Sequence, residues 1–228
     1  QEAGTLPVGF NRGPWFGKLL GENGMELHFV TPSYTSGTKG LQRGHVLLEP
    51  LTQDEFDRIK GQLKGAWVLV NGKNTGWPIN WSAIADYDRA GVIAENNTTA
   101  QKNREIMKDN WVNKKNTPLL PLNDEKPALF YKEMCEAGVL GFIQSASVPL
   151  RALYDKNVVF DKDMTIEKLP PVPDIKLDEH QYAIIKQMVK ERRSFMLEFD
   201  IRNHFRLGPV KYYNVIGSIK GSKHPGEY

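Results

Sequence analysis

Glu136-Ala137-Gly138-Val139-Leu140-Gly141-Phe142-Ile143 is the stretch on which the fold turns. Upstream of it, Phe130, Met134 and Ala137 recur at helical spacing. Gly138 stops that helix, because glycine enters the left-handed region at little cost. The apolar run Val139–Ile143 then reads as a buried strand. A second copy of the pattern is read earlier, where a polar helical segment ends at Ala90-Gly91 and Val92-Ile93-Ala94 follows. A helix that hands over at once to an apolar strand is one half of a crossover unit, so these junctions predict parallel strand pairing.

Working outward, Thr52-Gln53-Asp54-Glu55 is a capping box that opens a helix with Phe56, Ile59 and Leu63 on one face. Ala66–Val70 reads as a buried strand closed by Asn71-Gly72, and Gly44–Leu48 as another. Met25, Leu27 and Phe29 alternate with Glu26 and His28, as a half-buried strand requires. The glycine- and aromatic-rich stretch Gly9–Gly17 reads as loop or irregular edge structure. Residues 95–126 are polar and asparagine-rich, an insertion with a short helix over Gln101–Asn110, and 147–168 is a connecting region. Leu169–Ile175 enters an edge strand, since its prolines cannot donate to a ladder. Asp178 caps the strongest helix, which runs to Arg193 with Tyr182, Ile185 and Val189 on one face. Phe195, Leu197, Phe199 and Ile201 alternate as a strand, and Tyr213–Ile219 forms the last one. The sum is a mixed α/β (α+β) fold: a β-sandwich or barrel-like core with embedded helix–strand crossovers.

Composition narrows the function classes. A chain of 228 residues is long enough for a sizeable core. A formal net charge of +3, without a basic stripe, gives no footprint for nucleic acid. The single Cys135 precludes an internal disulfide but not export. No run has the length of a membrane span. The start, Gln1-Glu2-Ala3-Gly4, lacks the basic and apolar parts of a signal peptide.

Several segments, in order, resemble the protease-associated domain, a non-catalytic insert of several peptidase families. They are Leu63–Val70 (with Ala66 where a lysine is common), Glu136–Ile143, and Leu169–Val189. Phe29–Gly40 resembles a segment found before the insert in exported bacterial relatives. Asn214–Tyr228 resembles the re-entry into the catalytic domain of co-catalytic zinc exopeptidases of the aminopeptidase Y and carboxypeptidase Q type. The resemblance implies three parts: lead-in strands over 1–50, the protease-associated domain over 51–207 with its insertion at 95–126, and a strand over 208–228 leading towards a peptidase domain. It implies a domain that caps the zinc cleft and shapes the access of a peptide or protein substrate. Its partner would be its own peptidase domain, which would hold two zinc ions, with no cofactor in this chain. It also implies export, to a periplasm or the extracellular space. The alternative is a free-standing module that binds a protein or glycan. The apolar strand followed by Pro225-Gly226-Glu227-Tyr228 favours the excised reading over that one.

The residue types themselves offer no catalytic or metal set. His28, His45, His180, His204 and His224 are scattered, with no His-x-Asp or His-Glu-x-x-His. Asp161/Asp163 and Asp178/Glu179 read as a solvated turn and a helix cap, and Cys135 as a packed thiol. Gly13–Lys18 is one residue short of a phosphate loop, with Leu19 where a serine or threonine belongs. Asn80-Trp81-Ser82, Asn96-Asn97-Thr98 and Asn97-Thr98-Thr99 fit the glycosylation pattern. The aromatics Trp15, Phe16, Tyr34, Trp77, Trp81 and Trp111 fall in or beside loops. Of these, Tyr34 and Trp77 are the candidates for a lid or substrate contact.

Overall fold

A computed structural model describes residues 1–21, 24–79, 89–122 and 130–217 of the chain. Seven strands make one mixed sheet in the order β1-β7-β3-β4-β5-β6-β2. They are β1 (Glu2–Leu20), β2 (Phe29–Val30), β3 (Gln42–Leu48), β4 (Ala66–Asn74), β5 (Gly141–Ala146), β6 (Asp174–Asp178) and β7 (Met196–Tyr213). The helices are α1 (Gln53–Ile59), α2 (Arg89–Asn113), α3 (Tyr131–Glu136), α4 (Lys156–Val159) and α5 (Glu179–Lys190). The expected mixed α/β class with embedded crossovers is what the chain adopts. Strands β3, β4, β5 and β6 are parallel neighbours, as the junction at Gly138 predicts.

The junction that opens the sequence reading behaves as expected. Gly138 takes a φ of 88° at the end of α3, and its carbonyl accepts from the N–H of Gly65, 2.9 Å away, at the start of β4. Strand β4 is then buried on both sides, as a strand in a parallel sheet must be. Trp67 and Leu69 enter the larger core with Ile143, Ile175, Leu177, Leu197, Phe199 and the α5 residues Tyr182, Ile185 and Met188. Val68 and Val70 enter a second core with Leu63, Tyr131, Met134 and Phe142. Helix α5 is capped as read: the Asp178 carboxylate accepts from the backbone N–H groups of His180 and Gln181.

The sheet also curls shut. The segment before β2 pairs with β1: Leu19 N–H donates to Met25 O and Leu27 N–H to Gly17 O, both at 2.8 Å. On its other side, β2 pairs antiparallel with β6. The barrel-like core follows from this double pairing. At the closure Gly17 is required by space, since a Cβ there would lie 2.5 Å from the Phe199 ring and 2.9 Å from the Phe29 ring. Those two rings meet edge to face with centroids 5.2 Å apart.

Several sequence expectations are corrected. Gly9–Gly17 is not loop. It lies in β1, paired antiparallel with β7, because β7 continues past Ile201 as an 18-residue strand and supplies the ladder. Of Met25–Val30 only Phe29–Val30 is regular strand, with Glu26 bridging to Lys18. Asn71-Gly72 does not close β4 but makes an irregularity in its register between Val70 and Lys73. Val92–Ala94 is not a strand, and the helix read over Gln101–Asn110 is longer: both lie within the 25-residue α2. Strand β6 is not an edge, because Pro170, Pro171 and Pro173 all precede it and leave its own N–H groups free for β5 and β2. The last strand ends at Tyr213, and residues 214–217 carry no regular structure. Residues 218–228 lie outside the described residues.

The closure generates a direct test. Gly17→Ala should overpack Phe29 and Phe199 and lower unfolding free energy by about 1–3 kcal/mol, read as a lower urea midpoint with an unchanged slope.

Candidate functional site

Four segments converge on one recess. It is lined by Ser33 and Tyr34, by Pro78 and Ile79, by Asp155 and Val158, and by Pro170, and is shallow, with a cavity volume of about 30 Å³. Asp155 and Val158 belong to the short helix α4 and its start, whereas the other three segments are not regular strand and are held by side chains or by single backbone bonds.

The 31–36 segment is held from the β1/β7 ribbon. Arg12 donates through Nη2 to Thr31 O at 2.7 Å and to Ser33 Oγ at 3.3 Å. Asn203, its cross-strand neighbour, donates to Thr35 O at 3.1 Å. Ser36 donates to Pro170 O, which ties the segment to the approach of β6. Between these anchors Tyr34 adopts a φ of 61°, a conformation that a bulky residue holds only when its surroundings impose it. Its hydroxyl donates to Val8 O at 2.8 Å, and its ring stacks on Phe10 at 5.4 Å. Burial pushes the Tyr34 phenol above its ordinary pKa, and burial pushes the Arg12 guanidinium below its own.

The 74–79 segment is held from beneath. Gly76 N–H donates to Asn74 Oδ1 at 2.7 Å, and Gly76 O accepts from Leu153 N–H at 2.9 Å. Ile79 N–H donates to Asp174 Oδ2 at 2.6 Å. Asp174 in turn pairs with Lys176 Nζ at 2.6 Å, and both side chains are wholly buried. Two residues apart on β6, they project from the same face, and Lys176 also donates to Gln144 of β5. Burial pushes the Lys176 pKa down, and the charge of Asp174 opposes that.

The two sequence candidates meet different fates. Tyr34 is not an exposed aromatic: only 7% of it is accessible, because its ring completes a small core with Val8, Val159, Met164 and Leu169. Its edge nonetheless lines the recess. Trp77, directly before Pro78, is 52% exposed. Trp15, Phe16 and Trp111 are exposed, but they stand on β1 and α2 rather than in loops, and Trp81 lies outside the described residues. Pro78, Ile79, Asp155, Val158 and Pro170 were not singled out, since a lining drawn from four distant segments leaves no local pattern. The Asp174/Lys176 pair had a signal: two opposite charges at i and i+2 of a short strand, alternating with Ile175 and Leu177.

A zinc centre does not fit the described residues. No group of three or more His, Cys, Asp or Glu side chains gathers among them. His45 is engaged through Nε2 with Gln62 O at 2.8 Å, and His224 lies outside the described residues. Cys135 packs against the second core, and burial pushes its thiol up to about 12, which keeps it protonated and unreactive at neutral pH. Among the described residues, no helix is long and apolar enough to cross a membrane.

Comparison with known proteins finds no matching family model and no matching curated sequence. Among solved structures, a peptidase M28 precursor from Shewanella amazonensis is 14% identical, with a TM-score of 0.48, and the match covers 97% of this chain and 41% of that one. An aminopeptidase from Aneurinibacillus sp. strain AM-1 is 7% identical with a TM-score of 0.46, covering 87% of this chain and 33% of that one. A zinc aminopeptidase from Bacillus subtilis is 12% identical with a TM-score of 0.40, covering 87% and 34%. The chain thus spans about two-fifths of the first protein and a third of the other two.

The anchoring of the recess gives a measurable expectation. Asp174→Asn leaves Lys176 buried without its counter-charge and should cost on the order of 3–5 kcal/mol in urea unfolding. Replacing both residues, Asp174→Leu with Lys176→Met, should cost clearly less. Equal losses for the single and double variants would contradict an ion pair that anchors Ile79.

Proposed function

We propose that this chain is a non-catalytic protease-associated domain of a zinc-dependent exopeptidase, which caps the active-site cleft and shapes the access of peptide substrates. On this reading residues 51–207 form the domain proper, 1–50 lead into it and 208–228 lead out towards the peptidase domain, which carries the two zinc ions.

The observation that carries the reading is where the three resembling segments fall. Leu63–Val70 and Glu136–Ile143 contain the starts of the neighbouring strands β4 and β5, each entered from a glycine with positive φ, and Leu169–Val189 contains the whole of β6. The last segment runs on through its Asp178 cap into α5, which supports the larger core. A resemblance that scattered over unrelated parts of the fold would lose its force; this one follows three adjacent strands.

The ribbon supports the same reading. Strands β1 and β7 pair from Leu20↔Met196 to Glu2↔Tyr213. Two antiparallel strands side by side make a stiff connection through which the barrel would be seated on a neighbouring domain. The recess stands beside that connection, because Tyr34 is bonded to Val8 and stacked on Phe10 of β1. Tyr34 and Trp77 would therefore face the entrance to a cleft, where an ordered ring and an exposed indole restrict which peptide ends pass.

The purified 228-residue chain, given zinc, is expected to leave aminoacyl and peptidyl chromogenic substrates intact. In the protein encoded by the complete gene, Trp77→Ala is expected to raise KM severalfold with little change in kcat. Robust zinc-dependent hydrolysis by the 228-residue chain alone would overturn the proposal.

A further inference from the structure

The asparagine-rich insertion has a construction of its own. Asn103 and Asn110 of α2 each make a reciprocal pair of hydrogen bonds to a returning extended segment. Asn103 donates to Leu120 O at 2.9 Å and accepts from Leu120 N–H at 2.8 Å. Asn110 donates to Thr117 O at 2.8 Å and accepts from Thr117 N–H at 2.9 Å. The spacings match: seven helical residues rise about 10.5 Å, and three extended residues span about 10 Å. The two amides thus lay a strap along the helix, running antiparallel to it, through main-chain groups. The strap's side chains stay outside: Leu119, Leu120 and Leu122 are 51%, 44% and 54% exposed.

The adjoining face of α2 is sorted by charge. Arg104, Lys108 and Trp111 follow at i, i+4 and i+7, with Met107 on the next row and Lys114 just past the helix end at a φ of 48°, all exposed. At about 100° per residue Glu105 flanks this face, about 60° from Lys108, while Asp109 turns further away and pairs with Lys115 at 3.0 Å. Trp111 is 88% exposed, the largest value for any tryptophan among the described residues. Across 102–122 five cations stand against two carboxylates, a net +3 equal to the formal charge of the whole chain.

From this charge complementarity we propose that the α2–strap arm is a docking surface for an anionic phospholipid bilayer. The cations would meet the headgroups, Trp111 would sit at the interface, and Met107 with the strap leucines would enter the acyl boundary. A phosphate backbone of nucleic acid would use the cations but would give the exposed leucines nothing to bury. The inference stands apart from the lid reading and needs no peptidase domain.

The test uses the 228-residue chain with two kinds of vesicle, phosphatidylcholine alone and phosphatidylcholine mixed with phosphatidylglycerol. Co-sedimentation is expected only with the mixed vesicles, weakened by added salt. A blue-shifted tryptophan emission should accompany it and vanish in Trp111→Phe. The double variant Arg104→Glu with Lys108→Glu should lose on the order of tenfold or more in vesicle affinity. Lys102→Glu, on the far side of the helix, should lose much less. No binding to the mixed vesicles, or equal binding by the double variant, overturns the proposal. So does a lipid-independent dimer that Trp111→Ser abolishes, which would make this face an interface between copies of the chain.

Discussion

Six residues, Met25–Val30, carry hydrogen bonds on both sides. One side meets Gly17–Leu19 of β1 and the other meets β6. Without that double pairing, β1 and β6 would each leave a ladder open beside the core, and the sheet would remain a curved ribbon with Phe29 and Phe199 facing water. With it, the two rings meet over Gly17, and Trp67, Leu197 and Ile201 are buried in one apolar interior with α5. The indole N–H of Trp67 finds its partner inside that interior, Leu197 O at 3.2 Å, so the closure leaves no polar penalty there.

The same closure fixes the recess. Because β1 is drawn across to β2, Arg12 reaches Thr31 and Ser33, and the segment that follows β2 passes over the ribbon with Tyr34 facing inward. On the opposite wall the buried Asp174–Lys176 pair holds Ile79. A site made of loop segments is as ordered as the groups beneath them, and here those groups are a guanidinium, an amide and a buried ion pair.

Much of the architecture was legible in the sequence, and for local reasons. Gly138 and the capping residues Thr52 and Asp178 act within a few residues of themselves, so the junction at Gly138 and those two helix starts could be read directly. The apolar run Ala66–Val70 could be read because both of its faces are covered. What escaped depends on distant partners. Gly9–Gly17 reads as loop until β7 is laid beside it. Val92–Ala94 has strand composition but lies within α2. Tyr34 stands in a polar turn-like stretch, and only the approach of Val8, Met164 and Leu169 buries it. The reciprocal amide pairs of Asn103 and Asn110 depend on a strap seven or more residues ahead, so their spacing carried meaning only once α2 was seen whole.

The central claim is that this fold serves as the lid of a zinc exopeptidase, and the most direct test is to read the gene beyond the codon for Tyr228. The account predicts an apolar strand carrying His-x-Asp within about ten residues, followed by Glu-Glu, Asp and His ligands suited to two zinc ions. A reading frame that continues into sequence without such a set, or that closes at once, would contradict it.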